Sequence, residues 1–382
     1  MPPSPGPGGR NLFVSSFPPT LGNGRALRTY MVVRALAALG PLDLAYVPFG
    51  AEEPDAAFQA IDGLAFHVVR PSRGARRAVR YATLCAQGVP PAEARAASSP
   101  ELGETAERMA ALPGRNQVVA GDFNVMVACL RLARRRPVIY NSHNVESSYR
   151  VEPASGRRNA FRLRHTERRI LSAAAESWMV SRRDVELARA LEPEARLRYV
   201  PNVVDAAAIV PVTASTEPRD EVLMVGDYSY EPNATGATWL AREVMPRVRA
   251  ARPAARLVLV GRGAREAVGA SGHVDAPGFV ENLRDRYATA GAVAVPLLRG
   301  GGTPLKFIEA LAHGVPVVAT KVAAQGLDLT AGEEYRRADD ADGFAGELIE
   351  VLAHGDTAMA ARARARVEED FSLEALIRLM RA

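Results

Sequence analysis

Short apolar, β-prone runs alternate with helical stretches along this chain, and the alternation begins twice. The first series of runs is Asn11–Phe17, Leu42–Val47, Gly63–Val69, Gln117–Ala120, Val138–Asn141, Ser177–Val180 and Leu197–Val200. Helical stretches such as Arg25–Leu39, Phe123–Arg134 and Gly156–Ala175 lie between them. Runs this apolar fit strands buried on both faces, and strand–helix alternation is the mark of a doubly wound parallel sheet. The pattern restarts with a strand at Glu221–Gly226, a helix at Asn233–Ala251, and strands at Arg256–Gly261, Gly291–Pro296 and Pro316–Thr320. A helix at Thr303–His313 falls between the last two. Pro201–Arg219, rich in Pro, Val and small residues, reads as the linker. With 382 residues the chain exceeds one ordinary core. The expectation is an α/β protein of two Rossmann-like domains facing a cleft, with ligand at the carboxyl ends of the strands. Residues 1–10 form a disordered Pro/Gly tail, 11–205 the first domain and 206–365 the second. A last helix, 366–382, crosses back to the first.

Composition narrows the class. No apolar run approaches the ~20 residues of a membrane-spanning helix. No apolar segment follows MPPSPGPGGR, so that start does not resemble a signal peptide. The only cysteines, Cys85 and Cys129, lie in apolar helical contexts, which argues for a reducing, cytoplasmic setting and against a disulfide framework. Charge divides unevenly: 28 arginines against 19 acidic residues through Asp205, a net of +9, and a net of −4 beyond. A basic first half points to an anionic acceptor or a peripheral membrane contact on that side, with a solvated arginine surface as the plain alternative. The stretch Arg157–Arg169 repeats the theme, placing Arg158, Arg162, His165 and Arg169 on one helical face and Ala160, Leu163, Ile170 and Ala174 on another. Of 48 basic side chains only Lys306 and Lys321 are lysines. That arginine bias reflects genome composition and implies no nucleic-acid partner.

The densest chemical signal is VAVPLLRGGGTPLKFIEALAHGVPVVAT, Val293–Thr320. A strand ends at Pro296 and Gly300-Gly301-Gly302-Thr303 opens a helix. Such glycines let backbone approach a ligand, and the N-terminus of the helix offers free amides to phosphate. Lys306 and Glu309 are three apart, on one side of the helix and within reach of one ligand. A lysine suits a diphosphate, and a carboxylate one turn on can accept both hydroxyls of a ribose. A glycine loop followed by a surface ion pair is the bland reading of the same residues.

The run GGGTPLKFIEALAHGVPVVAT resembles the donor-site signature of glycosyltransferase family 4, a group of retaining enzymes with the two-domain GT-B fold. Val225-Gly226, Tyr230-Glu231-Pro232-Asn233, LVLVGRG at 257–263 and APGFVENL at 276–283 occur in the family's order. The resemblance implies that Glu309 binds the donor ribose and that Gly302, Thr303, Pro304 and Leu305 surround the phosphates. It places Gly278, Phe279 and Val280 beside the nucleobase. Many members carry an earlier glutamate eight positions before the ribose-binding one; here that position is Gly301. Many also grip the diphosphate with Arg and Lys after the first strand of the second domain. Gly226-Asp227-Tyr228-Ser229-Tyr230 has neither, and Lys306 is expected to substitute.

In the first half, Gly22-Asn23-Gly24-Arg25 follows the first strand, where the family uses a glycine loop against phosphates and acceptor. Gly22 and Gly24 would give close backbone approach and Arg25 positive charge; a simple strand–helix turn is the alternative. His143, in YNSHNVESS, follows Val138–Asn141 directly, and the resemblance places a histidine there near the transferred sugar. The other histidines show no metal-ligand spacing. The expectation is therefore a glycosyltransferase using a nucleotide-diphosphate sugar as co-substrate. It needs no further cofactor or metal and retains anomeric configuration. A GT-B nucleotide-sugar epimerase and a non-catalytic sugar-nucleotide-binding protein remain open. A Rossmann dehydrogenase does not, since no GxGxxG occurs in the first βαβ unit.

Overall fold

The computed structural model describes residues 9–48, 53–71, 74–97, 99–149, 156–212, 219–269, 273–300 and 303–381. Within them the chain divides into two units, Met1–Pro201 with Leu376–Ala382, and Asn202–Ala375. Each unit carries one all-parallel sheet, the expected pair of Rossmann-like α/β domains.

The first sheet contains β1 (Arg10–Ser15), β2 (Leu42–Tyr46), β3 (Leu64–Val68), β4 (Arg115–Ala120), β5 (Val138–Asn141), β6 (Glu176–Met179) and β7 (Leu197–Tyr199). Its order is β3-β2-β1-β4-β5-β6-β7. These are the seven expected strands, shifted at their ends by a residue or two. Arg10, assigned above to a disordered tail, instead opens β1: its amide donates to the Gly114 carbonyl and its guanidinium to Asp43. The rest of that tail, 1–8, lies outside the described residues. Leu12 and Val14 of β1 and Val118 and Ala120 of β4 meet Val125, Met126 and Cys129 in one buried core.

The second sheet contains β8 (Glu221–Val225), β9 (Arg256–Val260), β10 (Val274–Gly278), β11 (Ala292–Val295), β12 (Val317–Ala319) and β13 (Arg336–Arg337), in the order β10-β9-β8-β11-β12-β13. Alternate residues serve opposite faces. Val222, Met224, Ala292 and Ala294 pack with Leu240, Val244, Phe344 and Leu348. Leu223, Val293 and Val295 pack with Phe307, Ile308 and Leu311. Burial on both faces explains the near-continuous apolar runs of these strands. The two strands absent from the sequence reading, β10 and β13, are the sheet edges. VDAPG and RR lack the apolar run by which the central strands are recognised.

The helix expected at 366–382 is divided between Thr357–Asp370 and Leu373–Arg381, and two more helices depart from expectation. The stretch expected as one helix runs from Glu231 to Ala251 with a π-helical segment, Leu240–Val244, in its middle. Pro246, just beyond, lacks an amide and its ring would strike the carbonyl four residues back, so the ladder widens there. The other helix begins at Leu305 rather than Thr303. Proline at 304 disfavours helical torsions at Thr303, and the chain stays extended for two more residues.

Candidate donor site and the histidine loop

In each sheet the strand order reverses between two neighbours, β1 and β4 in the first and β8 and β11 in the second. Crevices beside the carboxyl ends of such strands are where open α/β sheets bind ligands.

In the second unit, β8 runs into Gly226 and β11 into Pro296. The Gly226 amide donates to the Val260 carbonyl at 2.9 Å. Next along β9, Gly261 has φ +134°, and a Cβ built there would lie 1.8 Å from the Gly226 oxygen. Only glycine permits these strand ends to approach so closely. After β11 the chain turns through Gly300, also at positive φ, whose carbonyl accepts from Gln325 at 3.1 Å. Gly301 and Gly302 lie outside the described residues. Thr303 is buried and its carbonyl accepts from Asn202 at 2.9 Å. Pro304 caps the helix Leu305–Ala312 without a side-chain hydrogen bond, and Leu305 is half-buried at its start.

Lys306 extends from the first turn of this helix to the loop after β8. Its Nζ donates to Asn233 Oδ1 at 2.6 Å, and Asn233 Nδ2 donates to the Asp227 carbonyl at 2.8 Å. A Cβ on Gly226 would lie 3.2 Å from Nζ, so the absent side chain makes room for the ammonium. Burial lowers the lysine pKa to about 8. The ammonium thus sits beside the loop that has no arginine or lysine of its own.

Glu309, one turn on, points elsewhere. Its Oε2 accepts from the Tyr287 hydroxyl at 3.3 Å, and burial raises its pKa to about 7. The two residues share a helix side by spacing, but their head groups reach different neighbours. They form no ion pair with each other, unlike the surface pair of the plainer reading. Helix position aligns their Cα–Cβ vectors, and the packed partners set where the two long side chains end. Gly278 closes β10 at φ +82°. Phe279 is 73% exposed, and Val280 packs against the core beneath.

In the first unit, His143 follows β5. Its Nε2 lies 3.0 Å from the Gly121 carbonyl at the end of β4. A carbonyl only accepts, so Nε2 carries the proton and Nδ1 keeps its lone pair. Burial, then the charges of Arg28 and Arg25, holds the ring pKa well below the ordinary histidine value. His143 is therefore neutral, able to accept from a hydroxyl but not to donate as an imidazolium. Behind it, buried Arg28 donates to Asn141 Oδ1 at 2.9 Å and to the Val200 and Pro201 carbonyls. Asn141 Nδ2 donates to the same Gly121 carbonyl at 3.2 Å. The loop beyond is fastened by Glu167, which accepts from the Glu146 and Ser147 amides.

Gly22 is exposed and a Cβ there would meet nothing within 4 Å. Gly24 begins the helix Gly24–Ala38, capped by the Asn23 side chain. Arg25 is exposed with its guanidinium 5.9 Å from the centre of the Phe17 ring. At the switch point itself, Asp122 accepts from the Ser16 amide and hydroxyl.

Residues 219–354 match the family described as Glycosyl transferases group 1. The second unit is a group 1 glycosyltransferase domain. No curated protein sequence matches the chain. Solved structures match it nearly end to end at low identity, which speaks to the fold. Sucrose-phosphate synthase from Thermosynechococcus elongatus is 19% identical over 97% of both chains, with a TM-score of 0.73. HepE from Anabaena is 14% identical over 97% of this chain and 98% of its own, TM-score 0.67. TarM from S. aureus is 9% identical over 97% and 98%, TM-score 0.69.

Within this glycosyltransferase domain, several residues beside the site carry no motif of their own. Asn233 orients Lys306. Arg262 donates to Asp227 Oδ2 at 3.1 Å, bringing a cation to the same loop from β9. Tyr287 holds Glu309. Asn233 and Arg262 stood inside the quoted family segments, but nothing local distinguished them. Tyr287 lies in a helix whose sequence gives no sign of its partner.

Proposed function

We propose that the protein transfers a sugar from a nucleotide-diphosphate donor, bound by the second unit, to an acceptor hydroxyl, without a metal and with retention. The observation that carries this is the pairing of Lys306, lodged against the Gly226–Asn233 loop, with Glu309 on the same helix after a glycine-rich turn. An ammonium and first-turn amides suit the two phosphates, and a carboxylate suits the ribose. Thr303, Pro304 and Leu305 lie between loop and helix, where phosphate oxygens would approach. Phe279 stands exposed beside Gly278 and Val280, as a nucleobase contact would. Structures of the similar HepE contain UDP with glucose, and UDP-glucose; that of TarM contains UDP.

The leaving diphosphate needs positive charge as the glycosidic bond breaks. Lys306 supplies it in the second unit; in the first, Arg25 brings a positive charge near His143. Among the described residues no group of three or more His, Cys, Asp or Glu side chains could hold a metal ion. His143 accepts a sugar hydroxyl through Nδ1, and the donor phosphate takes the acceptor's proton. No helix among the described residues is long and apolar enough to cross a membrane. Contact with an anionic surface is proposed for the first unit, where Phe161, 71% exposed, lies among Arg157, Arg158 and Arg164 on the helix Gly156–Ala173.

The test is a thermal-shift screen of UDP-, GDP- and TDP-sugars, because bound ligand stabilises in proportion to its affinity. It is followed by NMR of the product. No stabilisation by any of them overturns the donor reading, and a new nucleotide sugar formed without acceptor would make the protein an epimerase.

A further inference from the structure

Tyr287 lies on the helix Leu283–Thr289 with its side chain wholly buried. One face of its ring stacks on His313, centroids 4.2 Å apart and planes 18° from parallel. His313 is itself buried, at the end of the helix that carries Glu309. The phenol is thereby held in one orientation, and its single proton is directed to Glu309 Oε2 at 3.3 Å. Burial and the neighbouring carboxylate push the phenol pKa well above its ordinary value, so the hydroxyl remains a donor.

The consequence falls on Glu309. A carboxylate has two oxygens and rotates freely about its last bond unless one is engaged. Here Oε2 is engaged, while Oε1 has no partner among the described residues and is not sealed from solvent. We infer that Tyr287 is a positioning residue for the donor ribose, fixing the Glu309 carboxylate so that its free edge meets the vicinal hydroxyls. The inference rests on the reading of Glu309 as the ribose ligand. Among the described residues no cation pairs with Glu309 to help hold it. Lys306 is turned to Asn233, while Arg284 and Arg364 act on His313. Tyr287 is also the one hydrogen-bond partner favouring ionised Glu309 against the burial that raises its pKa. Two hydroxyls donate best to the ionised carboxylate, so losing the phenol weakens ribose binding twice, through orientation and through protonation.

The experiment compares wild type, Tyr287→Phe, Glu309→Gln and the double variant by calorimetry. The probes are UDP and 2′-deoxy-UDP, and GDP and 2′-deoxy-GDP, between pH 6 and 9. Phenylalanine keeps the stack on His313 and removes only the hydroxyl. In Tyr287→Phe, affinity for the preferred ribonucleotide should fall about five- to tenfold at neutral pH, and that for the deoxy analogue, which keeps one of the two hydroxyls, should fall less. The acid limb of the binding profile should move to higher pH. Glu309→Gln should narrow the same ribose preference and abolish that limb, and adding Tyr287→Phe to it should cost nothing more. If Glu309→Gln loses the preference while Tyr287→Phe keeps both preference and limb, Tyr287 only packs and the inference is overturned. If Glu309→Gln itself keeps the preference, or neither ribonucleotide binds, the reading of Glu309 fails first and the inference falls with it.

Discussion

Glutamine at position 309 should make the second unit more stable and a poorer binder of donor, and the stability gain should depend on pH in a defined direction. Glu309 is held by one phenol in an otherwise burying site, which raises its pKa from 4.5 to about 7. Below about pH 4.5 the carboxyl is protonated in folded and unfolded chains alike and contributes no pH dependence. As pH rises from there, the unfolded chain releases its proton first, and folding stability falls until the folded carboxyl also ionises near pH 7. Each pH unit crossed is worth about 1.4 kcal/mol, so the full interval sets a ceiling of ~3 kcal/mol. The carboxylate keeps some solvent access, and screening brings the expectation to about 1–2 kcal/mol. Glutamine preserves the acceptor for Tyr287 and removes the charge. At pH 8 the variant should therefore melt higher, by roughly 2–8 °C for a unit of this size, and the difference should vanish near pH 4.5. Donor affinity should meanwhile fall about tenfold or more, as for a lost charge-assisted contact. Differential scanning calorimetry across pH and nucleotide titrations at pH 8 give both readings. A stability difference that is constant with pH, or a variant less stable at pH 8, would refute the assignment of a buried, uncompensated carboxyl.

Four further outcomes are expected. Lys306→Met should lower donor affinity about tenfold or more, and the wild-type affinity should itself decline above about pH 8 as the lysine loses its proton; calorimetry with a nucleoside diphosphate checks both. His143→Ala should reduce kcat at least about tenfold with donor Kd little changed, and wild-type kcat should show no limb at the ordinary histidine pKa. Gly261→Ala, which forces a Cβ into the Gly226 carbonyl at positive φ, should cost more than ~2 kcal/mol in chemical denaturation. Binding to anionic liposomes should weaken with salt and with Phe161→Ala, because exposed charge contacts fade beyond ~8 Å at physiological ionic strength; indifference to both would leave the basic face merely solvated.

Much of the fold was legible because its strands declare themselves locally. A run such as Arg256–Val260 is apolar because both faces of its sheet are covered, and no partner need be known to see that. β10 and β13 were not legible for the same reason inverted: edge strands need only pair on one side, and a proline, a glycine or two arginines suffice there. The start of the helix at Leu305 was readable in principle from Pro304, since the residue before proline avoids helical torsions, but the glycine run drew the boundary too early.

The order of the elements, the glycine-rich turn after β11 and the rarity of lysine that singles out Lys306 could all be read along the chain. So could the placement of Glu309 one helical turn away. All of these are properties of neighbouring residues, fixed by backbone torsions and side-chain period. What those side chains meet was settled by packing alone. Lys306 ends on Asn233, 73 residues earlier; Glu309 on Tyr287, 22 earlier; His143 on the Gly121 carbonyl, also 22 earlier. Those distances in sequence are closed by the crossover order of the parallel sheets, which brings β8 beside β11 and β4 beside β5. Burial at the places so created then sets the charges, leaving His143 neutral, Glu309 poised near pH 7 and Lys306 near pH 8. Desolvation depends on everything packed around a group, so no local pattern of residues encodes it.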